Sequence, residues 1–261
     1  MAERPQRGFG VAAGLDHEVA TALAERCAEL GYASMWSNDH PGALGLETLA
    51  VFAEAAPALD LGVAVMALDR HSPAEISGEI ERLGLDRERL WLGVGAGFSR
   101  KPLTRMTDAL PELREALPGV RIVLAAMGPK MCRLAGSSYD GAFFNWMTPA
   151  FAASARATVE AGAGPGGLPP VFGYVRAAVG ADAAGRLAKE ESFYRDLHDG
   201  YRNHFERLGE PQGSVGVAAA DRTEVQHELG AYGDPLDVTV VRGLASARAE
   251  TMIAVAEAAA P

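Results

Sequence analysis

Asp39 and His40 place a carboxylate beside an imidazole, in the segment Trp36-Ser-Asn-Asp39-His40-Pro41. A carboxylate can fix the tautomer of a neighbouring imidazole, and an imidazole exchanges protons near neutral pH. Both side chains could also face a ligand directly. A polar turn before Pro41 is the alternative interpretation, because Asp and His are common in loops.

Three alternating glycines, Gly93, Gly95 and Gly97, follow an apolar run and remove side chains from one side of the backbone. A flat ligand could lie against such a surface, although the same residues also suit a tight turn. The G-x-G-x-G spacing differs from the dinucleotide-binding fingerprint, and no acidic residue follows where that fingerprint needs one. The segment Gly8-Phe-Gly-Val-Ala-Ala13 matches a relaxed form but lacks a preceding strand, so both nucleotide motifs are weak.

The segment Ala125-Ala-Met-Gly128-Pro129-Lys130-Met131 ends an apolar run and enters a predicted helix. Free backbone N–H groups and the positive end of the helix would converge at its start and favour an anion such as phosphate. Lys130 adds one of the chain's few lysine charges. A Gly-Pro turn needs no ligand to exist, so an anion site and a plain turn both stay open.

Motifs of several other chemistries do not occur in the sequence: H-E-x-x-H, C-x-x-C, G-x-S-x-G and the Walker loop. The six histidines show no metal-ligand spacing, which disfavours a metal-dependent hydrolase. Cys27 and Cys132 each lie in a predicted helix and indicate neither a disulfide framework nor a cysteine metal cluster. We therefore expect no metal site and a reducing compartment.

Short apolar or β-branched runs alternate with longer helical patterns along the chain, which is typical of repeated strand–helix units. Most of the runs begin about 20 to 31 residues apart, as one strand, one helix and two short loops require. The last interval is about twice as long, and we expect a helical insertion there, over residues 182–208 and 223–232. The eight predicted strands begin near Gly8, Tyr32, Leu61, Leu90, Arg121, Gly141, Pro170 and Asp237.

Eight such units close most simply into an α/β fold of the (β/α)8 barrel type, a TIM barrel with a helical insertion before its last strand. An open doubly wound sheet is the alternative, and it would usually hold fewer strands in this length. In a barrel, the carboxyl ends of the strands carry the chemistry, and all three segments described above lie at such ends. We expect residues 1–261 to form one barrel domain.

Composition limits the partners of the chain. The 261 residues are 48% hydrophobic and 22% charged, enough to bury one large core. With 24 basic and 34 acidic residues the net charge is -10, so we expect no nucleic acid and no anionic membrane as a partner. The first ten residues lack a signal-peptide pattern, and no apolar run is long enough to span a membrane, so a cytoplasmic location is expected.

Several segments together resemble the luciferase-like monooxygenase superfamily, in the branch that uses the deazaflavin coenzyme F-420 or FMN, over nearly the whole chain. The similarity is specific as a set, although each segment alone is weak. The segments are Glu29-Leu-Gly-Tyr-Ala-Ser-Met-Trp36 with Asp39-His40, Leu61-Gly-Val-Ala-Val-Met66, Arg89-Leu-Trp-Leu-Gly-Val-Gly-Ala-Gly97, Ala125-Ala-Met-Gly-Pro-Lys-Met131, Leu134-Ala-Gly136, Asp140-Gly141 and Tyr174-Val-Arg176.

The resemblance implies a barrel that holds the flat coenzyme ring at its carboxyl-end mouth. Asp39 and His40 would face the ring, with His40 exchanging a proton and Asp39 orienting it or hydrogen bonding to the ring. The third strand would form a bulge with a non-prolyl cis peptide behind the ring. The other implied coenzyme-binding residues are Ala64, Val65, Met66, Gly95, Ala96, Gly97, Ala125, Ala126, Met127, Gly128, Lys130, Asn145 and Thr148, the group from Ala125 onward surrounding the ribityl chain and phosphate.

The resemblance extends to sugar-phosphate dehydrogenases, which share a glutamate that acts as an acid. Phe98 stands at that position in this sequence, which disfavours sugar phosphates as substrates. The leading hypothesis is an oxidoreductase that passes hydride between a small-molecule substrate and F-420, with FMN as the alternative coenzyme. The loops after the second and fourth strands are short, which together with Phe98 motivates the second hypothesis, a non-catalytic flavin or deazaflavin carrier or sensor. We also expect a homodimer, formed through the small and apolar side chains Leu46, Leu49, Ala50, Ala53 and Ala56.

Overall fold

Parallel strands alternate with helices throughout residues 6–261, which are the residues that the computed structural model describes. Eight of the strands close into a barrel in the order β1-β2-β3-β4-β5-β6-β7-β9, with β9 returning to β1. The strands are β1 (Gln6–Val11), β2 (Ser34–Ser37), β3 (Asp60–Ala67), β4 (Leu90–Gly95), β5 (Arg121–Ala125), β6 (Gly141–Asn145), β7 (Val171–Val179), β8 (Val217–Ala219) and β9 (Val238–Gly243).

The helices form the outer layer, and all but one of them begin after the loop at the carboxyl end of a strand. They are α1 (His17–Glu29), α2 (Gly45–Ala55), α3 (Pro73–Arg82), α4 (Pro102–Ala116), α5 (Pro129–Ser138), α6 (Pro149–Glu160), α7 (Ala183–Leu197), α8 (Asp199–Leu208), α9 (Arg222–Gly230) and α10 (Ala249–Ala258). At the start of α3, Ser72 and Glu75 form a reciprocal capping box, with Pro73 as the first helical residue.

The predicted (β/α)8 barrel is confirmed, and all eight predicted strands are present within two residues of their expected starts. The insertion before the last strand is also confirmed, but its predicted single helix over 182–208 is divided into α7 and α8. His198 separates the two with an extended backbone and caps α8 by accepting a hydrogen bond from the Gly200 N–H at 2.9 Å. The insertion further contains β8, a three-residue strand that pairs with the end of β7.

Inside the barrel, large aromatic rings fill the space that glycines on neighbouring strands leave free. Trp36 is fully buried, and a Cβ atom on Gly62 would lie 2.2 Å from its ring. Along β7 and β9, alternate residues point inward and the residues between them pack against the helices, as the two-residue period of a strand requires. The inward-facing cluster includes Trp36, Ala64, Val123, Phe143, Phe172, Tyr174, Val238 and Val240.

The apolar face of α2, from which we predicted a dimer, packs mostly within the chain. Leu46, Leu49 and Ala56 are buried in the layer between the barrel and its helices, and only Ala50 and Ala53 keep partial exposure. Packing on its own sheet therefore accounts for this face, and the homodimer stays a prediction without that support.

Candidate functional site

Small side chains line one side of the barrel mouth, where β3, β4 and β5 end next to one another. A Cβ atom on Gly95 would lie 3.3 Å from Val65 Cγ2 and 3.7 Å from Ala125 Cβ, so these three residues are in contact distance. Val65 and Ala125 keep part of their surface exposed, while Ala64 is buried just below them. The arrangement presents an apolar surface without protruding side chains, which we call the cradle (Ala64, Val65, Gly95 and Ala125).

The end of β3 has both features that the resemblance implies. The Ala64–Val65 peptide bond is cis, and the pairing of β3 with β4 shifts between Val63 and Met66. The irregular backbone presses against β4 at Gly93, where a Cβ atom would lie 2.6 Å from the Val63 carbonyl oxygen. Gly93 is therefore needed for close approach of two backbones rather than for a turn.

Three of the predicted coenzyme-binding residues direct their side chains away from the mouth. Met66, Ala96 and Ala126 belong to the cluster between the barrel and the helices. A ligand in the mouth could reach only their backbone atoms. Gly97 does form a tight turn: its φ is 59°, and the Asp69 carboxylate accepts a hydrogen bond from the following Phe98 N–H at 2.8 Å.

The Asp39 carboxylate joins three elements and does not contact the His40 ring. Its side chain is 2% exposed and accepts hydrogen bonds from Arg70, from His71 Nε2 at 2.9 Å, and from the Gly45 N–H at 3.1 Å. The carboxylate–imidazole pair that the sequence suggested is thus formed by Asp39 and His71. His71 follows β3, and sequence reasoning missed it because the two residues are far apart in the chain.

The His40 ring lies between the loops that follow β1 and β2. Its Nδ1 accepts a hydrogen bond from the Gly42 N–H at 3.1 Å, which leaves the proton of a neutral ring on Nε2. That Nε2 is 3.4 Å from the Ala13 carbonyl oxygen, a long contact that a ligand group could replace. The ring keeps partial exposure at the rim of the mouth.

The start of α5 offers a positively polarised helix end at the mouth. Gly128 is the N-cap residue in an extended conformation, and nothing lies within 4 Å of the position of a Cβ atom there. Lys130, in the first turn, is exposed to solvent, and Met127 keeps partial exposure. These residues could hold an anion as predicted.

The helical insertion covers the ends of β5 and β6. On α8, the fully buried His204 places Nε2 2.6 Å from the Trp146 carbonyl oxygen, and Arg207 donates to the Met127 carbonyl at 3.4 Å. Asn145 donates from Nδ2 to the Tyr201 hydroxyl at 3.2 Å. Of the predicted phosphate residues, Thr148 is engaged as the N-cap of α6, where its hydroxyl accepts from the Phe151 N–H.

Two arginines at the mouth were given no role from the sequence, although Arg176 lies in the Tyr174-Val-Arg176 segment of the resemblance. Arg176 near the end of β7 is 2% exposed and Arg242 on β9 is 8% exposed. Arg176 donates to Asn145 Oδ1 and lies with its Cζ 4.0 Å from the centre of the Trp146 ring. Their signal in the sequence is a single arginine within each of two otherwise apolar strands.

No model of a known protein family matches the sequence. Solved structures nevertheless share the fold over nearly the whole chain. An F-420-dependent secondary alcohol dehydrogenase, solved with an F-420–acetone adduct, matches at 14% identity and a TM-score of 0.74, over 98% of this chain and 99% of that chain. The coenzyme F-420-dependent tetrahydromethanopterin reductase of Methanopyrus kandleri gives the same identity and TM-score, over 97% and 98% of the two chains.

A further match is the oxygenating component of 3,6-diketocamphane monooxygenase from Pseudomonas putida, solved with FMN. It is 12% identical with a TM-score of 0.67, over 99% of this chain and 98% of that chain. At these identities the likeness establishes the fold, and the chain has the barrel fold that these F-420- and FMN-dependent proteins share.

Within residues 6–261, no group of three or more His, Cys, Asp or Glu side chains is placed to hold a metal ion. Across the same residues, no helix has both the length and the apolar character needed to cross a membrane.

Proposed function

We propose that this protein is an oxidoreductase that binds a flavin-type coenzyme, F-420 or FMN, in the barrel mouth and acts on a small-molecule substrate. The observation that carries the proposal is the cradle, an apolar surface of small residues beside the start of α5. A planar ring needs such a surface, and its phosphate needs the anion-favouring helix start. The fold that this chain shares with F-420- and FMN-dependent proteins supports the same conclusion.

The residues present fit such a coenzyme. Ala64, Val65, Gly95 and Ala125 would support the ring, and Gly128, Lys130 and nearby N–H groups would hold the phosphate. When bound, the coenzyme would supply hydride chemistry that amino-acid side chains lack. The chain would orient the substrate and keep the apolar face of the site free of water.

We assign the proton-exchange role to His40, because its ring is partly exposed and its Nε2 has only a long contact to the Ala13 carbonyl oxygen. Asp39 would act as a positioning residue: it fixes the loop that carries His40 against Arg70, His71 and the start of α2. Water exclusion would come from the insertion, where the centre of the His198 ring lies 4.9 Å from that of Phe98 in the loop after β4.

Coenzyme titration tests this proposal. Co-purified chromophore is identified by absorbance and mass spectrometry, and the apo-protein is titrated with F-420 and with FMN. An Ala125→Trp substitution places a large ring over the cradle and should abolish binding, whereas Ala74→Trp on the exposed side of α3 should leave it unchanged. Folded protein that binds neither coenzyme would refute the proposal.

A non-catalytic carrier or sensor is the second candidate, favoured by Phe98 at a position where an acid is expected in related dehydrogenases. Phe98 is largely exposed, and its ring lies against the His198 ring of the insertion. Coenzyme binding without turnover of any substrate in a broad panel of neutral and anionic alcohols, aldehydes and enones would favour this candidate.

A further inference from the structure

Arg176 and Arg242 are direct neighbours on adjacent strands. They stand opposite each other in the parallel pairing of β7 with β9. Both follow the inward-facing series of their strands, after Phe172 and Tyr174 on β7 and after Val238 and Val240 on β9. Two like charges in this arrangement repel each other, and burial removes the water that would screen them.

The structure gives this pair too few acceptors. Each guanidinium group carries five N–H donors. Arg176 donates to Asn145 Oδ1, and Arg242 has a long 3.4 Å contact with the Gly243 carbonyl oxygen. Neither arginine forms an ion pair with any carboxylate in residues 6–261, and Arg176 Nε is buried without a partner. Glu190 on α7 acts on Arg242 only from beyond ion-pair distance.

Arg121, at the opposite end of the same barrel, shows the ordinary solution. It also lies against a tryptophan ring, with Cζ 4.1 Å from the centre of Trp91. Its charge is compensated, because Nη2 is 3.1 Å from Asp60 Oδ2. At one end of the barrel, Arg121 is therefore paired with a carboxylate of the same chain. At the mouth, Arg176 and Arg242 have no such carboxylate within residues 6–261.

Aromatic residues surround Arg176 and hold it in place. Trp146 and Tyr194 lie 4.0 and 5.0 Å from Arg176 Cζ, measured to the ring centres. Trp146 has a left-handed backbone with φ of 54°, and its buried Nε1–H has no acceptor. The cluster is thus rich in donors, and its missing component is an acceptor that carries negative charge.

We propose that Arg176 and Arg242 bind an anionic oxygen group of the substrate, such as a carboxylate, phosphate or sulfonate. The assignment to the substrate rests on the proposed function, because the start of α5 then takes the coenzyme phosphate. Paired guanidinium groups match the planar or tetrahedral oxygen groups of such anions with bidentate, charge-assisted hydrogen bonds. The substrate would accordingly be an organic molecule that carries a carboxylate, phosphate or sulfonate group, rather than an uncharged alcohol.

The anion site is tested on the protein without coenzyme. Inorganic phosphate and sulfate are titrated at constant ionic strength against chloride, with binding followed by calorimetry and by Tm. We expect Arg242→Met and Arg176→Met to weaken phosphate binding about ten- to hundredfold. Because each substitution also removes an uncompensated buried charge, we expect Tm without anion to be unchanged or raised.

Arg121→Met is the matched control. It removes a compensated arginine, so it should lower Tm and leave phosphate binding unchanged. Wild-type protein without a phosphate or sulfate effect beyond that of chloride would overturn the proposal, as would wild-type phosphate affinity in both mouth variants. If only Arg242→Met fails to fold, the proposal can still be tested, because Arg176→Met and the wild-type titration each measure phosphate binding independently.

Coenzyme titration separates the two sources of an anion. If the pair binds the substrate, phosphate still binds to the coenzyme-loaded protein, and Arg242→Met keeps coenzyme affinity within a few fold. If phosphate and coenzyme compete and Arg242→Met loses coenzyme affinity, the anion is the coenzyme's own and the substrate assignment is wrong. If the protein binds phosphate but neither coenzyme, the missing coenzyme binding contradicts the proposed function, and the phosphate binding still supports the anion site.

Discussion

His40 and His71 divide the roles that one Asp–His pair was expected to combine. The Asp39 carboxylate binds His71 and Arg70, while His40 keeps its ring nitrogens on backbone groups. His71 is therefore held by a carboxylate, whereas the partly exposed His40 ring has only a long contact at Nε2. Their substitutions should have different effects.

His40→Ala should lower turnover by roughly 10² to 10⁴ while coenzyme affinity stays within a few fold, because general acid–base catalysis contributes on that scale. Steady-state kinetics at saturating coenzyme measures the effect. His71→Ala is the control: it keeps the His40 proton and should act mainly on stability. Near-native turnover in His40→Ala would remove the proton-exchange assignment.

Lys130→Ala should weaken coenzyme binding by about tenfold, since a charge-assisted contact contributes roughly 1.5 to 3 kcal/mol and solvent at this exposed position reduces it. Fluorescence titration of the coenzyme measures the change. Lys189→Ala, on α7, removes an exposed lysine away from the start of α5 and serves as the control. Equal affinity of Lys130→Ala and the control would mean that the phosphate lies elsewhere.

Part of the site could be predicted from local sequence and part could not. Gly97 and the Gly128–Lys130 segment are recognised from backbone chemistry that neighbouring residues determine. The Asp39–His71 and Arg176–Arg242 pairs come from separate strands, so only the closed barrel brings them together. A lone arginine in an apolar strand does not reveal whether the fold supplies its partner.

At the scale of elements, the strands and most helices follow from periodicity and capping, while the insertion was predicted only coarsely. The α7–α8 break has no proline, and His198 makes it by capping the next helix with its own ring. β8 has three residues, too few for a two-residue period to be recognised.

Gly93→Ala should destabilise the protein by about 1 to 3 kcal/mol, because its Cβ would lie 2.6 Å from the Val63 carbonyl oxygen and backbone cannot move aside cheaply. Urea unfolding measures the free energy. Gly78→Ala is the matched control: the residue is exposed within α3 with nothing within 4 Å, and alanine should add about 0.5 to 1 kcal/mol. Equal stability of both variants would contradict the close approach of β3 and β4.

The docking of α8 should weaken in acid because of His204. Burial lowers the pKa of His204 from its ordinary value of 6.5, so the unfolded chain binds the proton more readily than the folded chain. Above about pH 6.5, His204 is neutral in both states and does not lower the free energy of unfolding. As the pH falls below about 6.5, the unfolded chain takes up the proton first and the free energy of unfolding decreases. The Tm of His204→Gln should depend less on pH between 7.5 and 5 than that of the wild type.

The matched control for this pH series is His227→Gln, an exposed histidine on α9. It should keep the wild-type pH dependence of Tm. A wild-type slope in His204→Gln would show that another group causes the acid sensitivity.

For the whole molecule, the barrel was predictable because strand–helix units recur at nearly constant length and only a closed ring accommodates eight of them. The oligomeric state was not predictable, because apolar residues on a helix can pack either within their own chain or against a partner. We still expect a homodimer, with Phe193 and Leu197 on α7 as large exposed apolar side chains. Light scattering at micromolar concentration measures the mass, and a monomer would contradict the expectation.

The two ends of the chain contribute different halves of the mouth. The cradle and the start of α5 lie within residues 64–130, whereas Arg176, Tyr194 and Arg242 come after the glycine-rich loop at 161–168. Under the proposed function, coenzyme choice and substrate choice would be encoded in separate stretches of sequence. Exchanging residues 169–261 with those of another barrel of this fold should transfer substrate preference without changing the coenzyme, which makes the loop a natural boundary for recombination.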